Sequence, residues 1–216
     1  MLNESQEIPG LFENLRPIIQ RGGEAILVDG GSSDDSVVRA EAFGLRICHS
    51  ARGRAVQMNV GAAQATGDLL LFLHADTRLP QDADALVVDV LHDGRFAWGR
   101  FDIRIAASTL TLRSVGWLMN QRSRWTGIAT GDQAMFVSRS AFDQVGGFPN
   151  QPLMEDVELS RRLRRISPPA CIGSPVITSA RRWESHGVWR TIFLMWRLRF
   201  AYWRGVPARV LAESYR

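Results

Sequence analysis

The chemistry on offer in this sequence is carried by acids at the ends of apolar runs. In the 216-residue chain, Asp29 follows the run Ile26-Leu-Val, and Asp76 follows the run 69–73 by way of His74 and Ala75. Each run is short and bounded by turn residues, which predicts a buried strand. Ligands of an open α/β sheet bind beyond the carboxyl ends of its strands, and a carboxylate is costly to bury without a partner. An acid at such an end therefore either meets a ligand or caps a loop or helix. The chemistry open to this pair is hydrogen bonding to a polar ligand. The stretch Gly30-Gly-Ser-Ser33 follows Asp29, and its backbone N–H groups suit the same kind of ligand. A second acidic pair, Glu155-Asp156, opens a predicted helix, where negative charge at the N-terminus is favourable in itself.

The elements that must position these acids read as strands alternating with helices. Ile8, Leu11, Phe12, Leu15, Ile18 and Ile19 recur at helical spacing, so residues 6–21 are expected as an amphipathic helix, with Pro17 near its far end. Strands are expected at 24–29, 45–48, 69–73, 96–105 and 134–138, and Ile172, Val176 and Ile177 suggest a final strand pair. Helices are expected near 35–43, 53–66, 80–92, 109–122, 139–145, 155–165 and 188–202. Strands that are apolar on both faces and separated by helices argue for an α/β fold with a mostly parallel sheet.

Composition narrows the class. Apolar residues make up 45% and charged residues 22%, as in a soluble globular protein and unlike a disordered one. All 26 basic residues are arginine, against 22 acids, for a net charge of +4. So mild an excess gives no sign of nucleic acid, and none is expected as a partner. Cys48 and Cys171 fit no metal spacing, and two free thiols suit a reducing cytosol. Residues 1–10 do not read as a signal peptide, and no apolar run is long enough to span a bilayer.

The motifs, taken in order, resemble glycosyltransferase family 2. Ile26-Leu-Val-Asp-Gly-Gly-Ser-Ser-Asp-Asp-Ser36 looks like the family's V-D-D-G-S-x-D-x-T segment, and Asn3-Glu4 like its P-x-x-N-E start. Residues 65–77 look like its A-x-G segment leading to D-A-D, residues 141–149 like its F-x-x-V-G-G-F, and Glu155-Asp156 like its E-D. Leu73-His-Ala-Asp-Thr77, Gly131-Asp-Gln133 and Ala180-Arg-Arg-Trp183 are similar to a bacterial branch of small family 2 proteins. The resemblance covers nearly the whole chain.

The resemblance implies the Rossmann-like GT-A fold in a single domain over 1–216. Residues 1–80 would bind the nucleotide, residues 81–185 would form the acceptor and catalytic half, and residues 186–216 would be a C-terminal amphipathic helical segment. It implies transfer of a sugar from a nucleoside-diphosphate sugar, a UDP-sugar foremost, to an acceptor hydroxyl. The reaction would invert the anomeric centre and use a divalent cation, Mg2+ or Mn2+. Asp29 would contact the base, with Asn3, Glu4, Ser32 and Ala75 around the nucleoside and Asp76 on the cation. Arg52 or Arg54 would reach phosphate, in competition with an ordinary surface role. Gly131, Asp132 and Gln133 would meet the donor sugar or the acceptor, and Arg181 and Arg182 would grip the diphosphate. His186 would complete the metal site. Asp156 would be the general base, with Glu155 as runner-up.

Three departures from the family pattern stand out. His74 replaces the first acid of D-x-D, which leaves Asp76 as the direct ligand from that motif. The apolar strand that the family carries before N-E is missing or shortened to Met1-Leu2. The Q-x-x-R-W signature of processive members lacks its Gln, so processive synthesis is not expected. Beyond these, residues 188–204 mix Trp189, Phe193, Trp196, Phe200 and Trp203 with Arg190, Arg197, Arg199 and Arg204. Such a helix packs on its own domain, pairs with a second copy in a homodimer, or lies on an anionic membrane surface. The last would place the protein on the inner face of the membrane and suit a lipid-linked acceptor. Two other functional readings compete: a non-catalytic module binding sugar nucleotides or a membrane surface, and a nucleotidyltransferase. The second would show a Gly-rich basic loop directly after the first strand, and none is visible.

Overall fold

The computed structural model describes residues 1–107 and 109–215, and the side chain of Arg182 lies outside that description. Its first half runs α1 (Ile8–Gln20), β1 (Ile26–Asp29), α2 (Ser36–Ala42), β2 (Arg46–His49), α3 (Arg54–Gln64), β3 (Leu69–Leu71), β4 (Thr77–Arg78) and α4 (Ala83–His92). The second half runs β5 (Trp98–Ile105), α5 (Leu110–Thr126), β6 (Phe136–Ser138), α6 (Arg139–Gln144), α7 (Glu155–Leu163), β7 (Ala170–Thr178), α8 (Arg181–His186), α9 (Val188–Trp203) and α10 (Ala208–Glu213). A single 3-10 turn, Gly131–Gln133, precedes β6.

The strands form two hydrogen-bonded sheets. β1 and β2 pair in parallel, from Ile26 beside Arg46 to Asp29 beside His49. The other five strands follow the order β3-β6-β5-β7-β4, in which β5 and β7 are parallel and the remaining three pairings antiparallel. The expected α/β fold with flanking helices stands, but its sheet is mixed and not mostly parallel. An apolar run reports burial on both faces, not strand direction. Here β6 enters reversed between β3 and β5, and the two-residue β4 runs antiparallel along the far edge of β7.

Period-two alternation sets the layers. Leu70 and Val137 turn toward α3, α6 and α7 and share a core with Trp98, Phe142 and Phe148. Leu69, Leu71 and Phe136 turn the other way, toward α1 and α4, and pack with Phe101, Ile103 and Val87. α1 also reaches the small sheet, where Ile8 joins Ala40 and Leu45. On the opposite side, Gly61 of α3 sits against Val28, whose methyl would lie 3.1 Å from an added Cβ. These two helices hold the sheets together. Met1 lies alongside the end of β1. The Met1 α-amino group donates to the Val28 carbonyl at 2.6 Å, and the Gly30 N–H donates to the Met1 carbonyl at 3.0 Å.

Other expectations need adjustment. β7 is one nine-residue strand and not a pair; it slips register against β5 between the Phe101–Ile172 and Ile103–Val176 pairings, so Gly173, Ser174 and Pro175 bulge. β4, α8 and α10 were not expected, because pieces of two to six residues are too short for a periodic pattern to register.

α5 is locked to β5 beside that bulge. Asn120 Oδ1 accepts from the Ile103 N–H at 2.9 Å, and Asn120 Nδ2 donates to the Ile103 carbonyl at 3.0 Å. Arg100, fully buried, pairs with Asp102, and Arg124 grips both oxygens of the same carboxylate at 2.7 Å. Replacing Asn120 by Ala leaves two buried backbone groups of Ile103 unpaired, so it is expected to cost about 2–4 kcal/mol of stability. Urea unfolding measures this, and a loss below about 1 kcal/mol would mean that water takes over both bonds.

Candidate active site

The residues singled out in the sequence fall into two groups. The first is the loop after β1. Asp29, 3% exposed, accepts from the N–H groups of Gly31 and Ser32 and from the Ser32 hydroxyl at 2.6 Å. These bonds, with the Met1 ammonium nearby, outweigh the burial that opposes them and hold the Asp29 carboxyl below its ordinary range. Asn3, at a positive φ of 55°, accepts from the Ser33 N–H through Oδ1 at 2.8 Å, while its own N–H donates to the Ser32 hydroxyl at 2.9 Å. The Glu4 N–H donates to the Ser36 hydroxyl at 2.8 Å. The Gly/Ser stretch is therefore folded around Asp29 and clasped by the residues just before α1.

The second group lines a cleft of about 720 Å3 bordered by α5, α7 and α9. Arg54, His74, Asp76, Arg122, Asp132, Glu155 and Asp156 all face it. The turn into α7 positions the acids. Met154 takes a positive φ of 63°, an uncommon conformation for a side chain of its kind, and so places Glu155 and Asp156 in the first helical turn. Asp156 accepts from the Gly131 N–H at 2.8 Å and from the Val157 N–H at 2.7 Å. Gly131 opens the 3-10 turn that Thr130 and Gln133 close as a capping box, and Asp132 projects from it. The His74 ring packs on Gly131 so closely that an added Cβ would lie 2.6 Å from Nε2.

Burial governs the electrostatics, and crowding of like charge adds to it. Burial pushes the Asp156 carboxyl above its ordinary range, opposed by the Gly131 hydrogen bond and reinforced by Asp132. Burial, and then Asp156, raises Glu155 to about 7. Burial, and then Arg54, lowers His74, so its imidazole is neutral. The cleft disfavours charge on Arg54, yet Tyr215, Glu155, Asp156 and Asp132 hold its guanidinium above its ordinary value. Burial lowers Arg122 in spite of Asp132 and Asp156, and its Nε and Nη2 have no hydrogen-bond partner among the described residues. The arrangement offers a base poised over an apolar-walled cleft and a cation facing into it without a full set of partners.

Arg181 connects the two groups. It donates to Glu4 at 2.9 Å and stands 3.5 Å from Asp76. Not every expected residue joins them. Arg52 is exposed and does not line the cleft. The Ala75 carbonyl is taken by Arg78 at 2.8 Å. Gln133 is fully buried and accepts from the Thr130 N–H, so it braces the turn. His186 ends α8 exposed, bonds Ser185, and lines a separate hollow with Arg190 and Arg197, so it is not brought into the cleft of Asp76. The side chain of Arg182 lies outside the described residues. Sequence reasoning missed Arg122, Arg199 and Tyr215, which all line the cleft. Leu118, Arg122 and Trp125 share one face at helical spacing, the only signal that could have found Arg122.

Known proteins share this design. The chain is 27% identical over 183 residues to "Probable glycosyltransferase YdaM" of Bacillus subtilis (strain 168), a match covering 78% of this chain and 42% of that protein. It therefore spans about two fifths of that relative's length. Among solved structures, the mannosyltransferase PcManGT from Pyrobaculum calidifontis, in complex with GDP-Man and Mn2+, superposes with a TM-score of 0.65 at 20% identity, over 93% of this chain and 59% of that one. TarS of S. aureus with UDP-GlcNAc gives 0.67 at 15% identity, over 83% and 56%. Glucosyl-3-phosphoglycerate synthase from Mycobacterium tuberculosis, with Mn2+ and UDP-Glc, gives 0.60 at 18%, over 81% and 67%. At these identities the structural likeness establishes the fold. The family model for glycosyl transferase family 2 matches residues 1–146, two thirds of the sequence and both groups of acids up to Asp132, and the chain belongs to that family.

Proposed function

We propose that this chain transfers a sugar from a nucleoside-diphosphate sugar to an acceptor hydroxyl, with Asp156 as the general base. The observation that carries the reading is the meeting of Asp132, Glu155 and Asp156 with the guanidinium groups of Arg54, Arg122 and Arg199 in one cleft, joined through Asp76 and Arg181 to the Asp29 loop. Such a transfer needs a group to take the hydroxyl proton and positive charge to meet the leaving diphosphate. Family membership supports glycosyl transfer, and the solved relatives holding GDP-Man, UDP-GlcNAc and UDP-Glc support a nucleotide-sugar donor, with a UDP-sugar the first to test.

In this reading the base lies by Asp29, with Asn3 and Ser32 near the nucleoside and Arg181 at the diphosphate. The acceptor enters the cleft between α5 and α9. Two backbone N–H groups fix the oxygens of Asp156, and its raised pKa makes it a better match to a hydroxyl proton. A base on the face opposite the leaving group gives inversion. Glu155, neutral below about 7, serves there as a hydrogen-bond donor and not as the base. Among the described residues no three His, Cys, Asp or Glu side chains form a metal cage. A Mg2+-like cation is commonly held by one or two carboxylates with substrate phosphates and water. The donor set thus fits an ion arriving with the diphosphate on Asp76. When bound, it would neutralise charge on the leaving group.

Thermal shift with uridine, guanosine and thymidine diphosphates, each with and without Mn2+, should give stabilisation with one of them that grows with the metal. No shift with any would sink the donor site. Asp156→Asn should keep that shift and lower transfer by at least about a hundredfold, the lower end of what a positioned base contributes. Unchanged transfer would remove Asp156 as the base.

Glu155 makes stability depend on pH. Its ordinary value is 4.5, and folding raises it to about 7, so the folded chain binds the proton more tightly. That contribution is full below the unfolded value and is lost as pH rises through the folded one. Relative to wild type, Glu155→Gln should therefore gain stability from pH 5 to 8, by about 2–3 kcal/mol. A gap that stays constant over that range would show Glu155 already ionised in the folded chain.

A further inference from the structure

α9 has two faces. Its inner face is used by the fold: Thr191 and Leu198 are buried, and Leu194, Met195 and Tyr202 pack with Leu153, Met154 and Leu211. Its outer face carries Trp189, Phe193, Trp196, Phe200 and Trp203, each between 62% and 77% exposed. Their four-three spacing draws one continuous stripe along the helix. α5, across the cleft, adds Trp117, Leu118 and Trp125 at 56–81% exposure. Five of the chain's seven tryptophans thus stand in solvent on two helices that border the same opening. Scattered exposed apolar side chains need no explanation, but a contiguous aromatic patch does.

The charges beside the stripe select what covers it. Arg190, Arg197 and Arg204 follow one another at seven-residue intervals, all exposed. No acid occurs from Val188 to Ala212, nor on α5. A two-fold contact of α9 with its copy would set this arginine row against itself, with no carboxylate on the helix to answer it. Trp and Phe rings flanked by arginines match instead the interface of an anionic bilayer, where aromatic rings sit at headgroup depth and guanidinium groups meet lipid phosphate. Among the described residues no helix is long and apolar enough to cross a membrane, so the contact is peripheral.

We propose that the outer faces of α9 and α5 dock this protein on an anionic lipid surface. Leu118 and Trp125 on one side, and Met195 and Trp196 on the other, line the cleft that contains Asp156, so the docked face surrounds its mouth. Resting on the transfer reading above, this assigns the acceptor to hydroxyl compounds anchored in lipid: the apolar part stays in the bilayer and the hydroxyl reaches Asp156 between the two helices.

Co-sedimentation of the full chain with phosphatidylcholine vesicles, with and without phosphatidylglycerol, tests the docking. Binding should be at least about tenfold tighter with the anionic lipid and should weaken as salt is added. Brominated lipids should quench the tryptophan fluorescence of bound protein. Arg190→Ala, Arg197→Ala and Arg204→Ala together should abolish the preference for phosphatidylglycerol, and Phe193→Ser with Phe200→Ser should abolish sedimentation. These replace exposed side chains, and an unchanged thermal melt verifies the fold. Absence of binding, or equal binding to both vesicles, overturns the proposal. So does a stable dimer by light scattering that the two Phe substitutions dissociate. Nucleotide-induced thermal shift on the same samples tells the two readings apart: a chain that binds nucleotide but no vesicle loses only the docking face.

Discussion

Three carboxylates crowd one end of this fold, and most of what surrounds them answers their burial side by side. Asp132, Glu155 and Asp156 come from two turns 20 or more residues apart; Asp132 makes ionisation of Asp156 harder, and Asp156 that of Glu155. Backbone N–H groups of Gly131 and Val157 take part of the load from Asp156, and the Arg54 guanidinium takes another. Such compensation needs tight backbone control. Met154 must hold a positive φ, and residue 131 must lack a Cβ so that His74 can lie against it. The Thr130–Gln133 capping box fixes the turn, and the Ser160 hydroxyl donates to the Ala129 carbonyl and accepts from its N–H, tying α7 to the loop that leads from α5 into the turn. Local strain of this kind persists where the surroundings over-determine it, and here they do.

Much of this was legible in the sequence, and the limits have physical causes. Apolar runs ending in acids located β1 and β3, because burial and a turn both leave marks on residue type. Helical spacing located α1, α5 and α9 within a few residues. Strand direction was not legible, since β6 and β7 are equally apolar whichever way they run. The resemblance put His186 on the metal with Asp76, but no sequence pattern says which way a six-residue helix turns its last side chain, and His186 lines a separate hollow. The resemblance also put Gln133 among the sugar contacts, and its side-chain oxygen accepts from the Thr130 N–H within the turn. Arg122 left almost no trace, because an arginine within an acid-free helix resembles any solvated charge until the neighbouring helix closes over it.

The all-arginine composition has a counterpart in the architecture. Arg139 threads its guanidinium among the carbonyls of Ala62, Ala65 and Gly67 and so closes the C-terminal end of α3. Arg78 spans the Glu7 carboxylate and the Ala75 carbonyl, joining α1 to β4. Arg21 grips Asp84 through two nitrogens and the Gln81 carbonyl besides. A planar fork with five donors can serve two or three acceptors on different segments at once, where a lysine ammonium would act as a point charge. With the strands divided between two sheets, such ties supply cohesion that a single continuous ladder would otherwise provide.

Arg181 is the most far-reaching of these ties, since Glu4 and Arg181 are 177 residues apart and Asp76 lies between them in sequence. Its side chain is 51% exposed, and pairs of that kind contribute only about 0–1 kcal/mol each because water and salt compete for both partners. In the proposed reading the carboxylates around it act as a place-holder. An incoming diphosphate would exchange one set of oxygens for another at small enthalpic loss, and Glu4 and Asp76 would be freed as it settled. The affinity of this end of the site is then governed less by the strength of any single contact than by the ionic strength of the surroundings, which weakens the internal pairs and the incoming ones alike.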